Sequence, residues 1–95
     1  MEVTLDGMEL ATALDVHIAL DRALCFGPYY GFNVAALFDR LSRDVPRPVQ
    51  VVWTSSAESK QRLGEDFAAI VGVFEDVARE DRELGWDDRF TFDLR

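Results

Sequence analysis

The sequence predicts an α/β fold, a three-stranded parallel sheet with helices packed mainly on one side, and three observations carry that prediction. Segments near the two ends, Glu2–Leu5 and Arg89–Leu94, alternate apolar and polar residues, the period of a strand with one buried face. A β-branched run, Val49–Thr54, lies between them. The stretches joining these strands are long and repeat apolar side chains at helical spacing, so the strands pair in parallel through right-handed crossovers. Residues 1–95 form one domain, because single cores usually organise about 100–200 residues. The 48% apolar content supplies a core without disulfides or metal.

In chain order, Val3 and Leu5 alternate with Glu2 and Thr4, and Asp6-Gly7 turns the chain. Thr12 followed by Asp15 has the form of a helix N-cap with an acidic residue three places on. Val16, Leu20, Ala23 and Leu24 then recur on one helical face, and Gly27-Pro28 ends the helix. Asn33 starts a second helix whose inward stripe is Val34, Leu37 and Leu41. Pro46-Arg47-Pro48 punctuates before the middle strand, and Ser55 to Arg62 reads as a short exposed helix. Glu65 to about Glu83 is the clearest helix. Its core stripe is Phe67, Ile70, Val71, Phe74, Val77 and Ala78, which leaves Val73, Asp76 and Glu80 nearer the other side. Gly85 caps it.

The net charge is −8, unevenly spread. Residues 1–40 carry six acids against Arg22 and Arg40, and residues 75–95 carry eight against four arginines. Such a chain lacks the basic footprint that phosphates demand, which argues against direct nucleic-acid binding. It suits a partner that itself binds nucleic acid, although an acidic surface also simply keeps a protein soluble. Cys25 is the one cysteine and cannot bridge within the chain, which fits a reducing compartment. The acidic start, Met1-Glu2-Val3-Thr4, is unlike a secretory signal, and no apolar run approaches a membrane span. A cytoplasmic protein is expected.

Catalysis has no support in the residues. The chain has no phosphate loop, no dinucleotide fingerprint and no two-histidine metal motif, so neither metal nor cofactor is expected. His17 reads as a surface or satisfied helix residue rather than a base, and Cys25 lies about 12 Å further along the same helix. Ser59 and Lys60 are adjacent on a helix and point about 100° apart, which excludes a dyad. No carboxylate pair is singled out as acid and base.

The informative constellation is Phe26-Gly27-Pro28-Tyr29-Tyr30-Gly31-Phe32, with four aromatics in seven residues between two helices. Aromatics in a loop are tucked beneath it or offered to a partner, and spacing alone leaves the two even. In the helix that follows, Ala35 and Asp39 share a face away from the inward stripe.

Pro28-Tyr29-Tyr30-Gly31-Phe32-Asn33-Val34-Ala35-Ala36-Leu37-Phe38-Asp39-Arg40-Leu41 resembles the barstar family signature, a Tyr-Tyr-Gly-x-Asn loop leading into Ala-Leu-x-Asp-x-Leu. The likeness extends to Asp15 and His17, Pro48, Trp53, Ser59-Lys60-Gln61, and Val73-Phe74 with Asp76. Residues 79–88 depart from it, being longer and more charged.

The resemblance implies an inhibitor of a bacterial ribonuclease of the guanyl-specific type, held inside the producing cell, monomeric when free, and not an enzyme. It implies a partner-binding surface of Tyr29, Gly31, Asn33, Ala35, Phe38, Asp39, Val73 and Asp76, and a cis peptide before Pro48. Asp39 would anchor the complex, its carboxylate taking charge-assisted hydrogen bonds from arginines that otherwise hold RNA. Tyr29 would pack against the nuclease's catalytic histidine region, Gly31 and Asn33 would bring backbone and amide into contact, and Asp76 would add a second acid beside Val73. Ala35 stands where the family often has aspartate, Phe38 where tryptophan occurs, and Phe32 where a polar residue is common. One interface carboxylate is therefore missing and the loop rim is more apolar. The alternatives are a barstar-fold module for a non-nuclease partner, favoured modestly by Ala35 and Phe32, and an immunity protein to a delivered ribonuclease toxin.

Overall fold

A computed structural model describes residues 1–95. The elements are β1 (Glu2–Asp6), α1 (Ala13–Leu24), α2 (Val34–Arg43), β2 (Val49–Thr54), α3 (Ser56–Leu63), α4 (Glu65–Glu83) and β3 (Phe90–Leu94). All strands are parallel in the order β1-β2-β3, with Val3 opposite Val51 and Val51 opposite Phe92. The expected three-stranded parallel α/β sheet with helices is therefore present.

Alternation decides which face of the sheet is covered. Val3, Leu5, Val49, Val51, Trp53 and Phe90 are buried in the main core, whereas Glu2, Thr4 and Thr91 are exposed on the other face. Val52, between Thr4 and Asp93 in register, is buried on that second face, outside the main core cluster. Trp53 and Phe74 are completely enclosed and meet edge to face at 6.3 Å. Gly7 follows β1 because a Cβ there would overlap the carbonyl oxygens of Thr54 and Ser55.

The helix starts follow their caps. Thr12 Oγ1 accepts from the Asp15 N–H and Asp15 Oδ2 accepts from the Thr12 N–H, a reciprocal capping box. The helix ends before the expected Gly27-Pro28, at Cys25, which takes the left-handed conformation at φ 56°. Ala23 is exposed, leaving Val16, Leu20 and Leu24 as the buried stripe. The Arg47–Pro48 peptide is cis, as the resemblance implies.

The short third helix is present and mostly exposed, but it turns Ser59 and Leu63 inward. Ser59 is fully buried, and its Oγ accepts from Trp53 Nε1 at 2.9 Å, so this helix satisfies the one polar atom of the core tryptophan. Two corrections concern α2 and α4. Val34 is 40% exposed rather than inward, and Val73 is only 8% exposed rather than outward. The cause is tertiary: α4 packs against α2 and against β3, so its buried arc is wider than one stripe, while the first turn of α2 overhangs the core's edge. The same wide arc buries Asp81, whose carboxylate is gripped by Arg47 at 2.7 and 3.2 Å and by the Phe90 N–H at 2.7 Å.

Candidate functional site

The aromatic loop divides between the two alternatives left open by its spacing. Phe26 and Tyr30 are buried, while Tyr29 is 88% exposed and Phe32 is 42% exposed. Tyr30 is the pin. Its ring packs on Phe26 at 4.7 Å and on Phe32 at 4.9 Å, and its hydroxyl lies 2.6 Å from His17 Nδ1 in a buried hydrogen bond. Burial pushes the Tyr30 hydroxyl well above the usual tyrosine range, with the Asp21 charge adding to the effect. Burial also holds His17 below its ordinary value, opposed by the Asp66 charge. Both groups are thus neutral near pH 7, and together they tie the loop to α1. That pairing was not legible in the sequence, since nothing in a 13-residue separation marks a helix-to-loop contact.

Asn33 joins the loop to α2. Its Oδ1 accepts from the Ala36 N–H at 2.8 Å, capping the helix, while its Nδ2 donates to the Gly31 carbonyl at 3.2 Å. One side chain thus ties the loop to the start of the helix. Beyond the cap, Leu37 and Leu41 are fully buried, Ala36 and Phe38 are half-buried against the core, and Ala35 and Asp39 lie exposed on a single face. Asp39 forms no ion pair, whereas its neighbour Arg40 is bonded to Asp44 at 2.9 Å.

The expected surface is thus assembled in part. Tyr29, Gly31, Asn33, Ala35 and Asp39 are exposed along the loop and α2, with Phe38 at their flank. From α4, Asp76 is exposed but pairs with Arg79 at 2.8 Å, and Val73 contributes chiefly to the core. A preorganised loop, a projecting tyrosine and a free carboxylate on a capped helix make a surface suited to a cationic partner.

The family model described as Barstar (barnase inhibitor) matches residues 1–93. The chain belongs to the barstar family. Barstar family proteins are inhibitors, and membership implies a barnase-type ribonuclease inhibitor or a related immunity role. No helix of this barstar-family chain is long and apolar enough to cross a membrane.

Proposed function

We propose that this chain inhibits a basic, guanyl-specific bacterial ribonuclease by covering its active site, with Asp39 occupying the place of an RNA phosphate. The observation that carries the reading is the state of Asp39: exposed, without an ion-pair partner, and held on a helix capped by the adjoining loop. A carboxylate left unpaired costs nothing while solvated, and it gains charge-assisted hydrogen bonds when arginines close around it. Tyr29, almost wholly in solvent on the adjoining loop, supplies a rigid apolar anchor. Gly31 and Asn33 bring main chain and amide close to the partner, and Phe38 and Asp76 flank the contact. Val73 supports α4 from beneath more than it touches the nuclease.

The inhibitor acts on the enzyme and not on its RNA, since a net charge of −8 repels a polyanion and steers toward a polycation. It works as a monomer, inside the cell that makes the nuclease, and is not itself an enzyme. Ala35 leaves the α2 face without a second carboxylate beside Asp39, and the exposed Phe32 makes the loop rim more apolar. The test is RNA cleavage by barnase and by other small guanyl-specific ribonucleases in the presence of the chain. Stoichiometric inhibition of at least one supports the reading. No inhibition of any, with the protein folded, contradicts it.

A further inference from the structure

Beside the loop, on the side facing α1, the structure holds a cleft of about 330 Å³. Three of the chain's exposed large apolar side chains converge on it: Leu14 from α1, Phe32 from the loop and Val34 from the first turn of α2. Ile70 forms part of the wall, and Asp66, in the first turn of α4, stands at the margin. Asp66 is exposed and has no ion-pair partner within the chain. Asn33 lines the same cleft while capping α2, so the cleft is continuous with the surface assigned to the ribonuclease.

The backbone at Phe32 adds a second observation. Its φ is 52°, in the left-handed region that a bulky side chain rarely adopts. Glycine or asparagine would occupy that turn with less strain, yet an aromatic stands there with its ring half in solvent. Strain retained at an exposed position points to use of the side chain.

We propose that this cleft receives one arginine or lysine side chain of the bound ribonuclease, its methylenes against Leu14, Phe32 and Val34 and its cationic head on Asp66. The inference rests on the ribonuclease reading above and names a second point of contact in the same complex. Apolar walls with a carboxylate at the margin match the two halves of such a side chain, whose stem is apolar and whose head is charged. The face of Phe32 adds a cation–π contact. A surface built to hold RNA is rich in these residues, and a chain of net charge −8 attracts them. The pairing also offsets the missing carboxylate at Ala35, placing a countercharge on a different helix.

The experiment titrates a small guanyl-specific ribonuclease that the chain inhibits, barnase first, with the full chain and with Asp66→Asn, Phe32→Gly and Asp39→Ala, each also melted alone. Asp66→Asn should bind about tenfold more weakly, with a shallower dependence on salt. Phe32→Gly should melt close to wild type, because glycine is at ease at this φ, yet bind about tenfold more weakly. If both variants bind as wild type while Asp39→Ala is severely weakened, the cleft takes no side chain and the ribonuclease reading stands without it. If Asp39→Ala binds as wild type, or if the wild-type chain binds none of the small guanyl-specific ribonucleases, the ribonuclease reading fails and this inference with it.

Discussion

Two aspartates, Asp81 and Asp39, sit in opposite environments in this fold. Asp81 is enclosed, about 1% exposed, and both its oxygens are engaged by Arg47 and by the first N–H of β3. Arg47 in turn donates to the Val45 carbonyl at 2.7 Å and lies 5.8 Å from the Trp86 ring centroid. This node joins the segment before β2, the last turns of α4 and the start of β3. Asp39 is solvated, on a helix face the core does not use, with no ion pair inside the chain. Full satisfaction makes Asp81 a fixture of the folded state. Asp39 is left to solvent, and the proposed complex is where it would find its partners.

The sharpest way to break the comparison is to remove each carboxylate in turn. Asp81→Ala strands the Arg47 guanidinium in a largely buried site and should lower folding stability by about 3–5 kcal/mol, measured by denaturant unfolding. Binding by whatever fraction remains folded should be little changed. Asp39→Ala should do the reverse, costing about 2–5 kcal/mol of affinity, roughly 30- to several-thousand-fold, while stability stays within about 0.5 kcal/mol. An Asp39→Ala protein that fails to fold would remove the contrast altogether.

Acidity sharpens the same difference. Burial alone would raise the Asp81 carboxyl, but the hydrogen bonds from Arg47 and the Phe90 N–H outweigh it and hold the group below the ordinary 3.8. A depressed carboxyl stabilises the fold above its unfolded value and loses that contribution as pH falls through the folded one, so stability should drop below about pH 3.8. His17, also depressed, adds an earlier decline that begins as pH falls below about 6.5, where the unfolded chain takes up the proton first. Melting temperatures from pH 8 to pH 2 should show both steps in wild type, and His17→Phe should remove the first alone.

Smaller effects probe the edges. Ser59→Ala leaves the Trp53 indole N–H buried without an acceptor and should cost about 1–3 kcal/mol of stability with no change in affinity, read from melts and titrations together. Asp76→Ala should weaken binding by less than about 1 kcal/mol, since this carboxylate is exposed and must first leave Arg79.

Most of the fold was legible because each element carries its own local signal. Thr12 and Asn33 announce their helices, and strict alternation assigns the faces of β1. The position of Asp39 followed from spacing alone, since four residues separate it from Ala35 on one face. Legibility stopped where burial depends on a distant neighbour. Val34 and Val73 were assigned to the wrong sides because periodicity cannot say how wide an arc of a helix its neighbours cover. Asp81 carries no local sign of burial, and it is Arg47, 34 residues earlier, that closes on it. The His17–Tyr30 bond and the cleft beside Phe32 are likewise products of packing, and no local pattern announces them.

The central claim is that Asp39 takes the place of a substrate phosphate, and competition tests it most directly. The affinity of the chain for barnase is measured at increasing concentrations of guanosine 3′-monophosphate, a ligand that carries its own phosphate. If the two contend for one site, the apparent dissociation constant of the chain rises linearly with nucleotide concentration once that exceeds the nucleotide's own dissociation constant. A wild-type affinity indifferent to saturating nucleotide would mean that the chain binds elsewhere, and the account of Asp39 would be wrong.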